Sequence, residues 1–223
     1  MYKTLTTLSA ALVLCALSSQ SQAALITFTG GTVYRLNSTT ETTNNLVSWD
    51  NVDYYEEGGF RIDFIPNSGS AGFASHIGNY YGAGNDVIHI HWATGDFGGV
   101  TAVEITKIGG GAFDINYFDL TSNTDTGGSF ASGNELAWVE GFLAGNPVAG
   151  PFLLPQEDWG FPATQVGLGA AFDNVDMVRF YVTNTVDCFG MDQFFIDEVP
   201  EPASLGLFAL AGCLALRRRR SRC

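Results

Sequence analysis

Basic residues are scarce in this sequence. It has 10 Lys and Arg against 23 Asp and Glu, and six of the ten bases lie in the terminal segments. Residues 24–199 therefore carry four bases against 22 acids. Because phosphate contacts require Lys or Arg, this balance excludes nucleic-acid binding. It also disfavours binding of the central region to anionic lipid headgroups.

Cysteines are almost absent from the same central region. Of the four in the chain, Cys15, Cys213 and Cys223 lie near the ends, which leaves Cys188. A single thiol forms no disulfide within one chain, so a hydrophobic core must hold the fold together. The apolar content of 46% is sufficient for such a core and too high for a disordered chain.

Catalytic and cofactor motifs are also missing. The sequence contains no P-loop, no GxGxxG after a strand, no HExxH and no CxxC, and it lacks a GxSxG nucleophile elbow. It has three histidines in all, so few residues could serve as the base of a triad. We therefore predict a protein that is not an enzyme. A structural calcium ion is the one cofactor that the residues below suggest.

Residues 1–23 have the three parts of a secretory signal peptide. Lys3 is a short basic region, Leu5 to Leu17 is apolar, and Ser21-Gln22-Ala23 has small residues where a signal peptidase cuts. The pattern predicts a signal helix that signal peptidase removes between Ala23 and Ala24. The body of the protein is therefore expected outside the cytoplasm.

Residues 199–223 form a second composite signal. The triplet Pro200, Glu201 and Pro202 is followed by an apolar run from Leu205 to Leu216. This run is shorter than the roughly 20 residues of a usual membrane span, so we predict a short hydrophobic helix with a transient membrane association. Four consecutive bases follow it and favour the cytoplasmic side. They are Arg217, Arg218, Arg219 and Arg220.

The C-terminal order of triplet, apolar helix and Arg cluster closely resembles the PEP-CTERM sorting signal of Gram-negative, biofilm-forming bacteria. The resemblance implies export across the inner membrane and recognition by an exosortase, a membrane Cys peptidase that removes the tail near the triplet. The body would then be released or attached at the cell surface or in the extracellular matrix. Members of this family often accompany exopolysaccharide production.

The body, residues 24–198, has the composition of a β protein. It is rich in glycine and aromatic residues, and its apolar positions alternate or form short runs between turn residues. The pattern predicts an antiparallel β-sandwich of jelly-roll type. The predicted strands are Leu25–Thr29, Thr32–Leu36, Phe60–Ile65, Val87–Trp92, Val100–Lys107, Phe113–Leu120, Leu136–Phe142, Met177–Thr183 and Gln193–Asp197.

Several short blocks of the body also resemble the β-sandwich domains that precede PEP-CTERM signals. Similar sandwiches serve as carbohydrate-binding modules, so the second interpretation is a module that binds exopolysaccharide. Flat aromatic rings can stack on sugars. The aromatic residues that lie in or beside the predicted loops are Tyr54, Tyr55, Tyr80, Tyr81, Trp92 and Trp159. The alternative is that these rings cover the edges of the core.

Calcium is the metal for which the sequence offers most oxygen ligands. Asp86 lies in Gly82–Ile88, which resembles one repeat of the Gly/Asp-rich calcium nonapeptide. Asp119, Asn123 and Asp125 follow one another closely and have hard oxygen atoms. These four residues are the predicted calcium ligands. The alternative is that Asn and Asp stabilise turns without any ion.

His89 and His91 alternate within one predicted strand. Side chains at positions i and i+2 of a strand share a face, so both imidazoles could reach one zinc or copper ion. A third ligand would come from His76 or Glu104. The alternative is an ordinary polar face of a half-buried strand.

Acidic pairs suggest a third interpretation, a polysaccharide hydrolase or lyase. Glycoside hydrolysis needs two carboxyl groups across a cleft. Pairs available for that role are Glu56 with Glu57, Glu135 with Glu140, and Glu157 with Asp158. With 22 acids in the body, however, such pairs are expected by chance.

Overall fold

Short alternating segments of the chain form strands in the computed structural model, which describes residues 23–67, 74–95 and 98–197. Helical structure within those ranges is limited to one 3-10 turn, Ala170–Phe172. The strands are β1 (Ala24–Ile26), β2 (Thr32–Arg35), β3 (Thr40–Thr42), β4 (Ser48–Asp50), β5 (Val52–Glu57), β6 (Phe60–Pro66), β7 (Ser75–Gly78), β8 (Val87–His91), β9 (Val100–Lys107), β10 (Asp114–Thr124), β11 (Ala137–Leu143), β12 (Asn146–Leu153), β13 (Thr164–Gly167), β14 (Met177–Val182) and β15 (Cys188–Asp197).

These strands pair into two antiparallel sheets. Sheet A has the order β13-β10-β15-β8-β7-β4, and β1 pairs with β15 beside this path. Sheet B has the order β12-β11-β14-β9-β6-β5-β2-β3. The prediction of an all-β fold with two antiparallel sheets is thereby confirmed.

The core lies between the two sheets. Phe180 on β14 of sheet B contacts Phe118 on β10 and Phe189 on β15 of sheet A, with ring centroids 5.1 and 5.2 Å apart. All three side chains are fully buried. Burying one large apolar side chain contributes about 1.5–3 kcal/mol, so contacts of this kind hold the sheets face to face without a disulfide.

The predicted flanking helices and the sorting residues 200–202 and 217–220 lie outside the described residues. Among the residues that are described, no helix has the length and apolar character needed to cross a membrane.

Tyr55 ties sheet B to the loop that precedes β2. The buried Tyr55 hydroxyl accepts a hydrogen bond from the Gly31 backbone N–H at 3.0 Å and donates one to Glu57 Oε2 at 2.9 Å. Burial raises the pKa of Tyr55, so its hydroxyl keeps its proton. The contact requires glycine at position 31, because a Cβ there would collide with the Tyr55 hydroxyl and lie 2.6 Å from the Glu56 carbonyl oxygen.

We expect Gly31→Ala to lower the free energy of unfolding by about 1–3 kcal/mol, the usual cost of overpacking a buried site. Gly169→Ala is the matched control, since a Cβ there meets no atom within 4 Å and its φ of −85° suits alanine. Urea denaturation of both full-length variants measures the difference. Equal stability of the two variants would contradict this reading of the Tyr55 contact.

Candidate functional site

The predicted signal-peptide cleavage site adjoins the first strand. Ala23 is exposed, and Ala24 begins β1, where it pairs with Ile196 of β15. Removal of residues 1–23 would therefore leave β1 intact. Cleavage between Ala23 and Ala24 itself stays a prediction.

Asp86, the first predicted calcium ligand, is buried and engaged by the chain. The backbone N–H of Asn45 donates to both of its carboxylate oxygens, at 3.1 and 2.9 Å, and the Asp86 N–H donates to Asn45 Oδ1 at 3.0 Å. Burial raises the pKa of Asp86 above its usual value, although the hydrogen bonds oppose this shift. These contacts anchor the segment before β4 to the start of β8.

Two of the other predicted calcium ligands, Asp119 and Asn123, have separate partners. Asp119 accepts hydrogen bonds from Gln165 and Gln193 on the two strands beside β10. Asn123 donates from its side-chain amide to the Pro155 carbonyl at 2.9 Å. Within the part of the chain that the structure describes, the carboxylates of Asp86, Asp119 and Asp125 do not come close enough together to bind a single ion. Calcium binding at any one of them stays a prediction.

Three strands of sheet A assemble a different cluster on its outer face. His76 on β7 lies opposite His89 on β8, and His91 on β8 lies opposite Cys188 on β15. Ile88 and Ile90 alternate with the two β8 histidines and are buried in the core. The strand period therefore directs both imidazoles to the outer face, as predicted. We call His76, His89, His91 and Cys188 the histidine–cysteine cluster.

The cluster brings potential metal ligands close together. Ligand atoms of His89, His91 and Cys188 all lie within 4.8 Å of one another. The His76 ring lies 5.7 Å from the His91 ring and 6.0 Å from the His89 ring, measured between centroids. Of the third ligands predicted, His76 is therefore near, whereas Glu104 is on sheet B, where Arg179 donates to its Oε1 at 2.6 Å. The prediction of Glu104 is wrong.

Cys188 was missed by the sequence reasoning, which treated it only as an unpaired thiol. Its separation from His91 is 97 residues, and nothing in the sequence sets the register that joins them. The alternation around Phe189 does indicate that Cys188 faces away from the core. The partner strand and its register come only from the structure.

Hydrogen bonds hold the cluster's rings in place. The Tyr81 hydroxyl lies 2.9 Å from His89 Nδ1, and Asp187 Oδ1 lies 3.2 Å from His91 Nδ1. Cys188 Sγ donates to Asp187 Oδ2 at 3.5 Å. Burial works against the charge of Asp187, but hydrogen bonds from His91, Cys188 and the Gly127 backbone keep its pKa below the usual value.

Burial decides the charge state of the cluster's inner members. His89 is fully buried, and desolvation holds its pKa well below 6.5, so the imidazole is neutral. Burial, followed by the nearby Asp187 charge, raises the pKa of Cys188, so the thiol keeps its proton. His89 and Cys188 are thus neutral donors beside the Asp187 carboxylate.

Aromatic rings cover this cluster. Tyr80 stacks on His89 with centroids 4.2 Å apart and planes 12° apart. Trp159 meets Tyr81 edge-on at 4.7 Å and is itself 38% exposed. Two of the other predicted sugar-stacking residues, Tyr55 and Trp92, are fully buried, so the prediction is wrong for them. Their rings pack in the core instead.

The outer face of sheet B forms a second candidate site. An open groove of about 500 Å³ is bounded by charged and aromatic side chains. Arg179 lies between Glu104 and Glu140 in the strand register. Tyr181, two residues along β14, also borders the groove. These residues combine an aromatic ring with hydrogen-bonding groups, which is the chemistry of sugar contact.

In two of the predicted carboxylate pairs, one member accepts hydrogen bonds that fix its position. Glu57 accepts hydrogen bonds from Thr27 and Tyr55. Glu135 accepts them from the backbone N–H groups of Ser132 and Gly133, and its pKa lies below the usual value because these bonds outweigh its burial. Such contacts hold the Glu57 and Glu135 carboxylates in place. That the protein is not an enzyme stays a prediction.

Comparison with known proteins bears on the tail. A family model described as the PEP-CTERM protein-sorting motif matches residues 198–220. The chain carries a PEP-CTERM sorting motif. This motif implies an exported protein that an exosortase processes, with membrane-associated sorting in a Gram-negative bacterium. The resemblance stated from the triplet, the apolar run and the Arg cluster is confirmed.

No curated protein matches the chain. Among solved structures, the K1 cleaved adhesin domain of Lys-gingipain (Kgp) from Porphyromonas gingivalis W83 is 15% identical to it, with a TM-score of 0.31. The match covers 81% of this chain and 99% of that chain.

We expect Asp86→Ala to lower the free energy of unfolding by about 1–3 kcal/mol without calcium, because the Asn45 N–H loses a buried acceptor. Asp125→Ala removes the same charge from a half-buried position and serves as the control. Urea denaturation in the presence of a chelator measures the free energy of unfolding of both full-length variants. A similar stability of the two variants would show that the Asn45 contact contributes nothing.

The calcium prediction is checked by repeating the comparison with calcium, at an ionic strength matched with sodium. An ion at Asp86 binds only the folded state, so it should raise the Tm of the wild type and not that of Asp86→Ala. A wild-type Tm that calcium leaves unchanged would overturn the prediction.

Proposed function

We propose that the chain is an exported, non-enzymatic protein of the cell surface or extracellular matrix, freed from its tail by an exosortase. The observation that carries this proposal is the PEP-CTERM motif at residues 198–220. The scarcity of bases between residues 24 and 199 suits a soluble body that neither nucleic acid nor anionic lipid attracts. Signal peptidase and exosortase are the processing partners.

The body is proposed to be of jelly-roll type. Supporting this, the eight strands from β8 to β15 divide into two sets of four neighbouring strands, β8-β15-β10-β13 in sheet A and β9-β14-β11-β12 in sheet B. A jelly roll consists of eight strands in two such sheets. Strands β2 to β7 extend the sheets beyond this unit. The architecture would serve as a rigid exported module.

Tags placed before Val199 and after Arg222 test the processing step. In its native host the wild type should lose the C-terminal tag. Glu201→Ala should be exported yet keep both tags in the membrane fraction, because the residue lies in the triplet that the peptidase reads. Glu198→Ala removes an acid just before the motif's triplet and is the matched control, expected to be processed normally.

The Arg cluster should act separately from the triplet. Replacing Arg217–Arg220 with Ser should weaken membrane retention before cleavage, so part of the unprocessed protein should appear in the medium. If the wild type keeps both tags in the membrane while a functional exosortase is present, the sorting proposal fails and the tail is only an anchor.

A carbohydrate-binding role is the second candidate, and the sheet B groove favours it. The partner would be an exopolysaccharide laid across Tyr181 and hydrogen-bonded by Glu140 and Arg179. Pull-down of the full-length protein on host polysaccharide, with and without calcium, tests this role. Tyr181→Ala should weaken binding, whereas Tyr117→Ala on sheet A should not. Absence of binding by the wild type would exclude the role, and turnover of the polysaccharide would favour the hydrolase or lyase interpretation.

A further inference from the structure

The histidine–cysteine cluster contains a buried donor atom that the fold does not use. His89 Nε2 is buried and has no hydrogen-bond partner among the described residues. Leaving a polar atom buried and unpaired is costly, and native structures keep few such atoms. The atom belongs to a ring that is fixed on both sides, by stacking on Tyr80 and by the hydrogen bond to Tyr81. The buried, unpartnered Nε2 atom is therefore suited to bind a ligand.

The nearest groups supply the remaining donors for one metal ion. Ligand atoms of His89, His91 and Cys188 lie within 4.8 Å of one another. In a tetrahedral zinc site, with Zn–N near 2.0 Å and Zn–S near 2.3 Å, ligand atoms lie about 3.3–3.8 Å apart. Closing the difference requires only side-chain adjustments of about 1 Å, and neighbouring strands already hold the backbones in register.

The hydrogen-bond partners match those of metal-bound histidines. A metal-binding histidine ordinarily bonds through its second ring nitrogen to a carboxylate, a carbonyl group or a water molecule. Tyr81 occupies the corresponding position at His89, where it contacts Nδ1 and leaves Nε2 for the ion. At His91 the Nδ1 atom lies 3.2 Å from Asp187 Oδ1 and 3.5 Å from Cys188 Sγ, so Asp187 has this role when His91 binds the ion through Nε2. The hydroxyls of Thr121 and Ser122 lie 3.2 and 3.3 Å from the Tyr81 hydroxyl and extend this support across β10.

The donor set selects the class of metal. Two imidazoles and a thiolate suit zinc and Cu⁺, whereas calcium and magnesium prefer oxygen ligands. We propose that His89, His91 and Cys188 bind one Zn²⁺ or Cu⁺ ion on the outer face of sheet A, with His76 as the fourth ligand. On binding, the Cys188 thiol releases its proton to solvent and binds as thiolate, without any change in oxidation state. The Asp187 carboxylate beside it favours the incoming cation.

This site is independent of the sorting function, because its residues lie in sheet A and not in residues 198–220. Solvent reaches the cluster at the side chains of His91 and His76. The His91 and His76 side chains are 12% and 10% exposed, whereas His89 is fully buried. The ion would therefore enter past these two histidines.

The direct test uses the untagged full-length protein, stripped with a chelator and titrated with Zn²⁺, with Cu⁺ under anaerobic conditions, and with Co²⁺ as a spectroscopic substitute for zinc. We expect one ion per chain. The Co²⁺ form should show a sulfur-to-metal charge-transfer band in the near ultraviolet. A competition titration between Zn²⁺ and Cu⁺ shows which of the two ions the site binds more tightly. Calcium and magnesium should not displace either ion.

Variants connect the signal to the named residues. Cys188→Ser should abolish the charge-transfer band and weaken binding more than tenfold, and His89→Gln should weaken binding to a similar extent. Tyr81→Phe removes a supporting contact and should cost about 10–100-fold in affinity. Gln193→Ala changes a residue on the same strand as Cys188 whose side chain bonds to Asp119 instead. It is the control that should keep the band and the affinity.

If Cys188→Ser does not fold, the Co²⁺ spectrum of a Cys15→Ser, Cys213→Ser, Cys223→Ser variant decides the matter, because Cys188 is then the one thiol in the chain. A band that reports thiolate ligation at one ion per chain supports the proposal. Absence of stoichiometric Zn²⁺ and Cu⁺ binding, or binding that folded Cys188→Ser retains in full, would overturn it.

Discussion

The pairing of β15 with its neighbours is the constraint on which the structure depends. This strand pairs with β10 along one edge and with β8 and then β1 along the other. Its inward side chains, including Phe189 and Phe194, are fully buried between the sheets. Its first residue, Cys188, lies opposite His91, and the sorting motif begins one residue after the strand ends. This one strand therefore connects the core, the histidine–cysteine cluster and the tail.

Antiparallel pairing explains why the cluster lies outside the core. With a side-chain period of two, the residues that fill the core between sheets A and B leave every second position facing outwards. On β8 these positions are His89 and His91, and β15 adds Cys188 at the matching position. A shift of one residue in register would turn the polar set towards the core between the sheets and bring Ile88 and Ile90 to the outer face. The core thus fixes the geometry of the cluster.

Much of the fold could be predicted because its signals are local. Val100–Lys107 was predicted with its observed bounds, and each of the other predicted strands overlaps an observed one. In β11 the alternation turns Trp138 to the outer face, whereas its neighbours Ala137 and Val139 are buried in the core. Strand β12 was missed since Pro147, Gly150 and Pro151 do not resemble a strand, and such residues are tolerated at the edge of a sheet.

The site could be predicted only in part. Alternation placed His89 and His91 on one face, but the contribution of Cys188 depends on a register between distant strands, which no local pattern encodes. The oxygen-rich residues Asp86 and Asp119 drew attention to calcium, whereas the structure gives each of them hydrogen-bond partners of its own. The tail was read correctly because its three parts are consecutive in the chain and need no tertiary contact to be recognised.

The central claim is that an exosortase removes the sorting tail from an exported sandwich domain that ends at β15. Intact-mass measurement of the protein isolated from its native host tests this most directly, because it locates both ends of the chain at once. The account predicts a chain that begins at Ala24, retains β15 and ends near the Pro200–Pro202 triplet. A surface or extracellular form that still contains the Arg217–Arg220 cluster would contradict it.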